Sequence, residues 1–222
     1  MKTTRSKVIF FLVIALGIAG VFLIFPKKQQ SHFDYYQYVL SWSPEFCTTP
    51  NGQKPSKQTQ CNLPLGFVIH GLWPEYNKGG FPSECDPKAP ETVPDKIAKI
   101  VLDTTPPMPP GDPEQLNHEW FKHGTCSGLG QHGYFSAIKS LTKTIHIPEI
   151  LKKPTQKITM SREEIVDVFK TVNPGLTAKM IGSKSDPDGN IKEISFCVNK
   201  KLKLQECPKH PKEKGGTFLP VR

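Results

Sequence analysis

The sequence predicts an α+β fold: a mostly antiparallel central sheet with flanking helices, stapled by disulfides and preceded by an amino-terminal apolar helix. Three observations carry this expectation. Strand-like patterns come first, helix-like patterns come next, and strand-like patterns return, which is not the strict alternation of a parallel α/β sheet. Six cysteines, Cys47, Cys61, Cys85, Cys126, Cys197 and Cys207, all lie downstream of one unbroken apolar run, Val8 to Phe25. That run is preceded by Lys2, Arg5 and Lys7, the pattern of a signal peptide or a membrane anchor, and either one exports the downstream domain. An even number of cysteines in an exported chain argues for disulfides, and the lack of any C-x-x-C pair argues against a zinc ribbon.

In chain order, residues 1–30 are the signal peptide or anchor, and 31–222 form one domain. Tyr35 to Ser43, rich in aromatics and stopped by Pro44, reads as a strand. Thr48 to Gln60 is a polar loop, and Leu65 to Leu72 a second apolar strand. Asp95 to Leu102 is a short helix. Asp112 caps the next helix with Pro113 at its first position, and that helix runs to about Thr125. Tyr134, Phe135, Ile138, Leu141 and Ile145 line one face of another. Ser161 and Glu164 form a capping box that opens a helix over 162–172, closed by Pro174 and Gly175. Strands are expected at 176–181 and 191–199 about a "DPDG" turn, with a final return in "KLKLQEC".

Composition bounds the partners. The formal net charge is +9, so the chain is drawn to polyanions such as nucleic acid, acidic glycans or anionic membrane, without selecting among them. The 22 prolines and 17 glycines imply many turns, while 36% hydrophobic residues suffice for a core.

The stretch "NHEWFKHGTC", Asn117 to Cys126, concentrates the chemistry. It nearly matches the zinc motif H-E-x-x-H, but His118 and His123 are five apart rather than four. On an α-helix that separates their directions by about 140°, and Lys122 would sit beside the ion. No metal or other cofactor is therefore expected. Proton transfer fits better. His118 with Lys122, and Glu119 with His123, are spaced i, i+4, so Glu119 is expected to orient His123 and favour its charged form. Lys122 supplies a fixed positive charge for an anion. A second proton carrier is His70 in "FVIHGLWP", an apolar segment where a buried structural histidine is the plainer reading. The neighbouring Gly71 and Trp73-Pro74 point instead to a strand end, where sites are commonly built.

Together, "FVIHGLWPEYN" and "HEWFKHGTC" resemble the two active-site segments of the ribonuclease T2 family. The likeness extends to "QYVLSWSPEFC", "FPSECDP" and "EISFCVNKKLKLQECP", covering roughly residues 35–210. It implies an endoribonuclease acting by attack of the RNA 2′-hydroxyl on the adjacent phosphate, giving a 2′,3′-cyclic phosphate and then a 3′-phosphate. It implies His123 as base and His70 as acid. Glu119 and Lys122 would support the pentacoordinate phosphate, and His118 would help hold it. Trp73 becomes a base-stacking platform, with Tyr76 and Phe81 completing the pocket and Glu75 bonding a base edge. The resemblance also implies the disulfides Cys85–Cys126 and Cys197–Cys207, leaving Cys47 for Cys61. RNA is the expected partner, with no obligate protein partner and with membrane attachment resting on residues 8–25. A catalytically silent RNA-binding or cell-surface recognition protein on the same scaffold is the competing reading.

Overall fold

The computed structural model describes residues 32–208 and 215–221. The apolar run 8–25, and with it the expected signal peptide or anchor, lies outside the described residues. Among the described residues, no helix is long and apolar enough to cross a membrane.

The chain forms β1 (Tyr35–Trp42), α1 (Ser43–Phe46), α2 (Gln58–Cys61), β2 (Phe67–Glu75), α3 (Asp95–Leu102), α4 (Pro113–His118), α5 (Gly130–Thr144), β3 (Ile158–Met160), α6 (Arg162–Val172), β4 (Ile181–Ser185), β5 (Ile191–Val198) and β6 (Gly216–Phe218). Four strands make an antiparallel sheet in the order β2-β1-β5-β4, and β3 pairs with β6 in a small second sheet. This is the expected α+β architecture.

Local chemistry accounts for the element ends. Asp112 caps α4, its side chain accepting from the Gln115 N–H at 3.1 Å. The capping box is present at α6: Ser161 accepts from Glu164 N–H, and Glu164 accepts from Ser161 N–H. The sheet buries one face against α5 and α6. Trp42 is fully buried and meets Phe67 and Phe218 edge-on, at 4.8 and 5.3 Å between ring centres. Such pairs contribute about 0.5–1.5 kcal/mol each beyond their buried area.

Several boundaries differ from the sequence reading. The expected strand at 176–181 is mostly turn, because Leu176 N–H donates to Asn173 and Met180 N–H to Thr177, so β4 starts at Ile181. Trp73, Pro74 and Glu75 extend β2 rather than turning away from it. The polar loop 48–60 carries a 3₁₀ turn, Pro55–Lys57, and leads into α2. Lys57 is buried there because it pairs with Asp112 at 2.5 Å.

The largest departure is the helix expected from Asp112 to about Thr125. It stays α-helical only through His118, then widens into a π turn over Glu119–His123 and tightens into a 3₁₀ turn over Gly124–Cys126. Disulfides join Cys47 to Cys61, Cys85 to Cys126 and Cys197 to Cys207. The second ties the loop after β2 to the end of the widened helix.

Candidate active site

His70 owes its direction to a defect in the sheet. Across β1 and β2, Val39 pairs with Gly71 and Leu40 with Ile69, so His70 is the extra residue of a β-bulge. Bulges re-aim side chains beside active sites. His70 is thus within β2, not at the strand end that the sequence suggested. Its Nδ1 lies 3.0 Å from Glu193 Oε1 on β5 and 3.0 Å from Ser41 Oγ on β1. Its Nε2 lies on the other side, 3.6 Å from Glu119 Oε1.

Glu119 is the buried centre of the constellation, 1% exposed. It accepts from Trp73 Nε1 at 2.8 Å and from Gln115 Nε2 at 3.0 Å. Gln115 is itself set by the Asp112 cap, so the start of α4 positions the carboxylate. Gly71 lets Glu119 come this close: a methyl group there would overlap the carboxylate and stand 2.7 Å from Trp73 Nε1.

The expected pairing of Glu119 with His123 is not formed. An i, i+4 alignment holds for 3.6 residues per turn, whereas a π turn closes i to i+5 and rotates the two out of register. Glu119 faces His70 instead. The same widening brings His118 and His123, expected about 140° apart, to 6.4 Å between ring centres. His123 stacks on Trp73 at 5.2 Å, and His70 meets the edge of the same indole at 5.0 Å. The two imidazoles therefore flank one side chain.

Their electrostatics differ in sign. His123 is buried, and its Nδ1 has no hydrogen-bond partner. Burial, with the nearby charges of Lys122, His118 and His70, lowers its pKa to about 3. The favouring of its charged form that a Glu119 partner would bring is reversed. For His70, burial also opposes the charge. The hydrogen bond to Glu193 and the charges of Glu119 and Glu193 outweigh burial and Lys184, and hold the pKa above the ordinary imidazole value. Burial pushes Glu119 above the usual carboxylate range, partly offset by His70, Trp73 and Lys122. His118 is exposed and lowered by partial burial, then by Lys122 and His70.

Of the expected base pocket, Phe81 lies in the site, 44% exposed, 5.4 Å from the His123 ring and 5.5 Å from Lys122 Nζ. Glu75, at the end of β2 opposite Tyr35, has its carboxyl raised by burial to about 7. Tyr76 lines a cleft with Asp34, Asn77 and Lys78 and packs against the core. Glu193 was missed by sequence reasoning. The available signal was a lone carboxylate among the apolar residues of "IKEISFCV".

Residues 33–207 match the Ribonuclease T2 family model. A ribonuclease of Aeromonas hydrophila is 39% identical over 120 residues, covering 52% of this chain and 47% of that protein. The extracellular ribonuclease LE of Solanum lycopersicum is 30% identical, covering 84% of this chain and 86% of that one. The crystal structure of RNase NT in complex with 5′-AMP superposes with a TM-score of 0.61 at 27% identity, over 85% of this chain and 98% of that one. With the family model matched from residue 33 to residue 207 and relatives covered over most of both lengths, the chain belongs to the ribonuclease T2 family and is an endoribonuclease.

Proposed function

We propose that the protein is an exported, metal-independent endoribonuclease that cuts RNA by transphosphorylation. The observation that carries the assignment of roles is the opposite tuning of two imidazoles around one indole. Paired groups whose surroundings drive their pKa values apart mark the base and the acid. His123, kept neutral, has a lone pair free to take the proton of the RNA 2′-hydroxyl. The freed oxygen attacks phosphorus, and the bond from phosphorus to the 5′-oxygen breaks. His70, kept charged, delivers its Nε2 proton to that departing oxygen. The products are a 2′,3′-cyclic phosphate and a 5′-hydroxyl. In the second step the roles exchange: His70 takes a proton from water, water attacks phosphorus, and His123 returns its proton to the 2′-oxygen, leaving a 3′-phosphate.

Lys122 and His118 offer positive charge to the crowded phosphate, and Glu119 holds the charged His70 while anchoring Trp73. Trp73 and Phe81 present aromatic surface for a base, and Glu75 a hydrogen-bonding group for its edge. The exported state rests on the charged-then-apolar start of the sequence and on the extracellular relative.

The test is cleavage of single-stranded RNA in excess chelator, with product ends identified by mass. Cyclic phosphate ends are expected, with no cut in DNA of the same sequence. His70→Ala and His123→Ala should each lower kcat by about 10²–10⁴-fold. DNA cleavage, loss of activity in chelator, or near-wild-type rates in either variant refutes the assignment.

A further inference from the structure

We propose that Glu193 is a positioning residue for the acid step, orienting the His70 imidazole and holding its Nδ1 proton so that Nε2 delivers the proton to the leaving oxygen. The inference rests on the assignment of His70 as that acid.

The geometry is a polar row across the entire sheet. Ser41 on β1 pairs in register with Glu193 on β5, and Glu193 pairs with Lys184 on β4. The bulge at His70 on β2 turns its ring onto the same row. A carboxylate only accepts, so at 3.0 Å the His70 Nδ1–H donates to Glu193 Oε1. That bond fixes which nitrogen keeps its proton when the other gives one up, and it fixes the ring plane. Nε2 is then the nitrogen left facing Glu119 and the indole.

A plainer role for Glu193 is a sheet ion pair with Lys184. Two measurements weigh against it. The Lys184 contact is longer, 3.6 Å, and Lys184 is 68% exposed, where such pairs contribute little. Glu193 is 15% exposed, and its close partner is the imidazole.

The charge environment is shared by every element around the ring. β1 presents Ser41, β5 presents Glu193, β4 presents Lys184, α4 presents His118, and the π turn presents Glu119 and His123. Burial works to raise the Glu193 carboxyl, but the bond to His70 and the charges of His70, Lys184 and Lys192 hold it below the usual carboxylate range. Glu193 is thus ionised wherever His70 must be charged.

The experiment compares Glu193→Gln with the wild type on two substrates across pH. One is a dinucleoside monophosphate, whose 5′-oxygen needs a proton to leave. The other is a uridine 3′-(4-nitrophenyl) phosphate, whose phenolate leaves without one. On the dinucleotide, E193Q should lower kcat about tenfold above neutrality, move the basic limb of the pH profile down by about one unit, and leave KM within about twofold. On the aryl ester it should stay within about threefold of wild type. Glu193→Asp, which restores the charge, should recover part of the basic limb. An E193Q profile that overlays the wild type, or equal losses on the two substrates, overturns the proposal. If E193Q is poorly folded, E193D decides: a basic limb on the dinucleotide that overlays the wild type overturns the proposal, and one moved down supports it. Failure of the underlying assignment reads differently: His70→Ala would then cleave the dinucleotide at near-wild-type rates, whatever E193Q does.

Discussion

Gly71 is the narrowest point of the site, and Gly71→Ala tests the whole arrangement. The added methyl would occupy space held by the Glu119 carboxylate and approach Trp73 Nε1 to 2.7 Å. Neither neighbour yields easily. Trp73 is held between two imidazoles, and Glu119 is 1% exposed and fixed by hydrogen bonds of 2.8 and 3.0 Å. Displacing the carboxylate sacrifices both bonds, each contributing about 1.5–3 kcal/mol to a charged group. Allowing for partial relaxation, the expected loss of stability is about 3–5 kcal/mol, a fall in Tm of roughly 10 °C for a domain of this size. Turnover should drop about 10²–10³-fold, the usual effect of removing one electrostatic support. The assays are thermal unfolding and RNA cleavage on one preparation. Gly133→Ala, within α5, is the control: the same chemical change there meets only the flexible Leu129 side chain at 3.2 Å. It should leave both readouts within error or raise Tm slightly. A Gly71→Ala protein that keeps wild-type Tm and cleavage within about threefold would refute the reasoning.

Three further outcomes are expected. The kcat/KM profile on RNA should be wide on the acid side: activity falls as His123 gains its proton toward pH about 3 and, at the other end, as His70 loses its proton above the ordinary imidazole range; an acid limb near pH 6.5 would count against the neutral base. Glu75→Gln should be silent at pH 5, where a carboxyl with a pKa of about 7 is already neutral, and should alter base preference above pH 8, read from cleavage of defined dinucleotides. Replacing Cys85 and Cys126 with alanine opens a loop of sequence separation 41, costing about 4 kcal/mol by loop closure; denaturant unfolding should show it, and turnover should fall further as the π turn loosens.

Much of the architecture was legible because short-range chemistry determines it. The Asp112 cap and the Ser161 capping box are each set by neighbours a few residues away. The two histidine-bearing segments were legible for a similar reason: their residue types suit proton transfer at an anion, and their motifs resemble those of a known family. Boundaries fared less well where a residue pattern suits both a strand and a turn: β4 begins at Ile181 because the turns closed by Leu176 N–H to Asn173 and Met180 N–H to Thr177 take up the preceding segment.

The amino-acid sequence by itself determined which groups could do the chemistry: two imidazoles, a carboxylate and a lysine, with glycine where a close approach is needed. Tertiary structure alone decided how they are paired. A periodicity of 3.6 assigns Glu119 to His123, but the π turn breaks that periodicity and the carboxylate meets His70 across the gap beside Gly71. The bulge in β2 turns His70 toward Glu193, a residue 123 positions away in the chain. Burial and neighbouring charge shift the two imidazoles in opposite directions, and the proposed acid and base roles follow from that difference. Those quantities come into being only when strands and helices distant in sequence pack against one another.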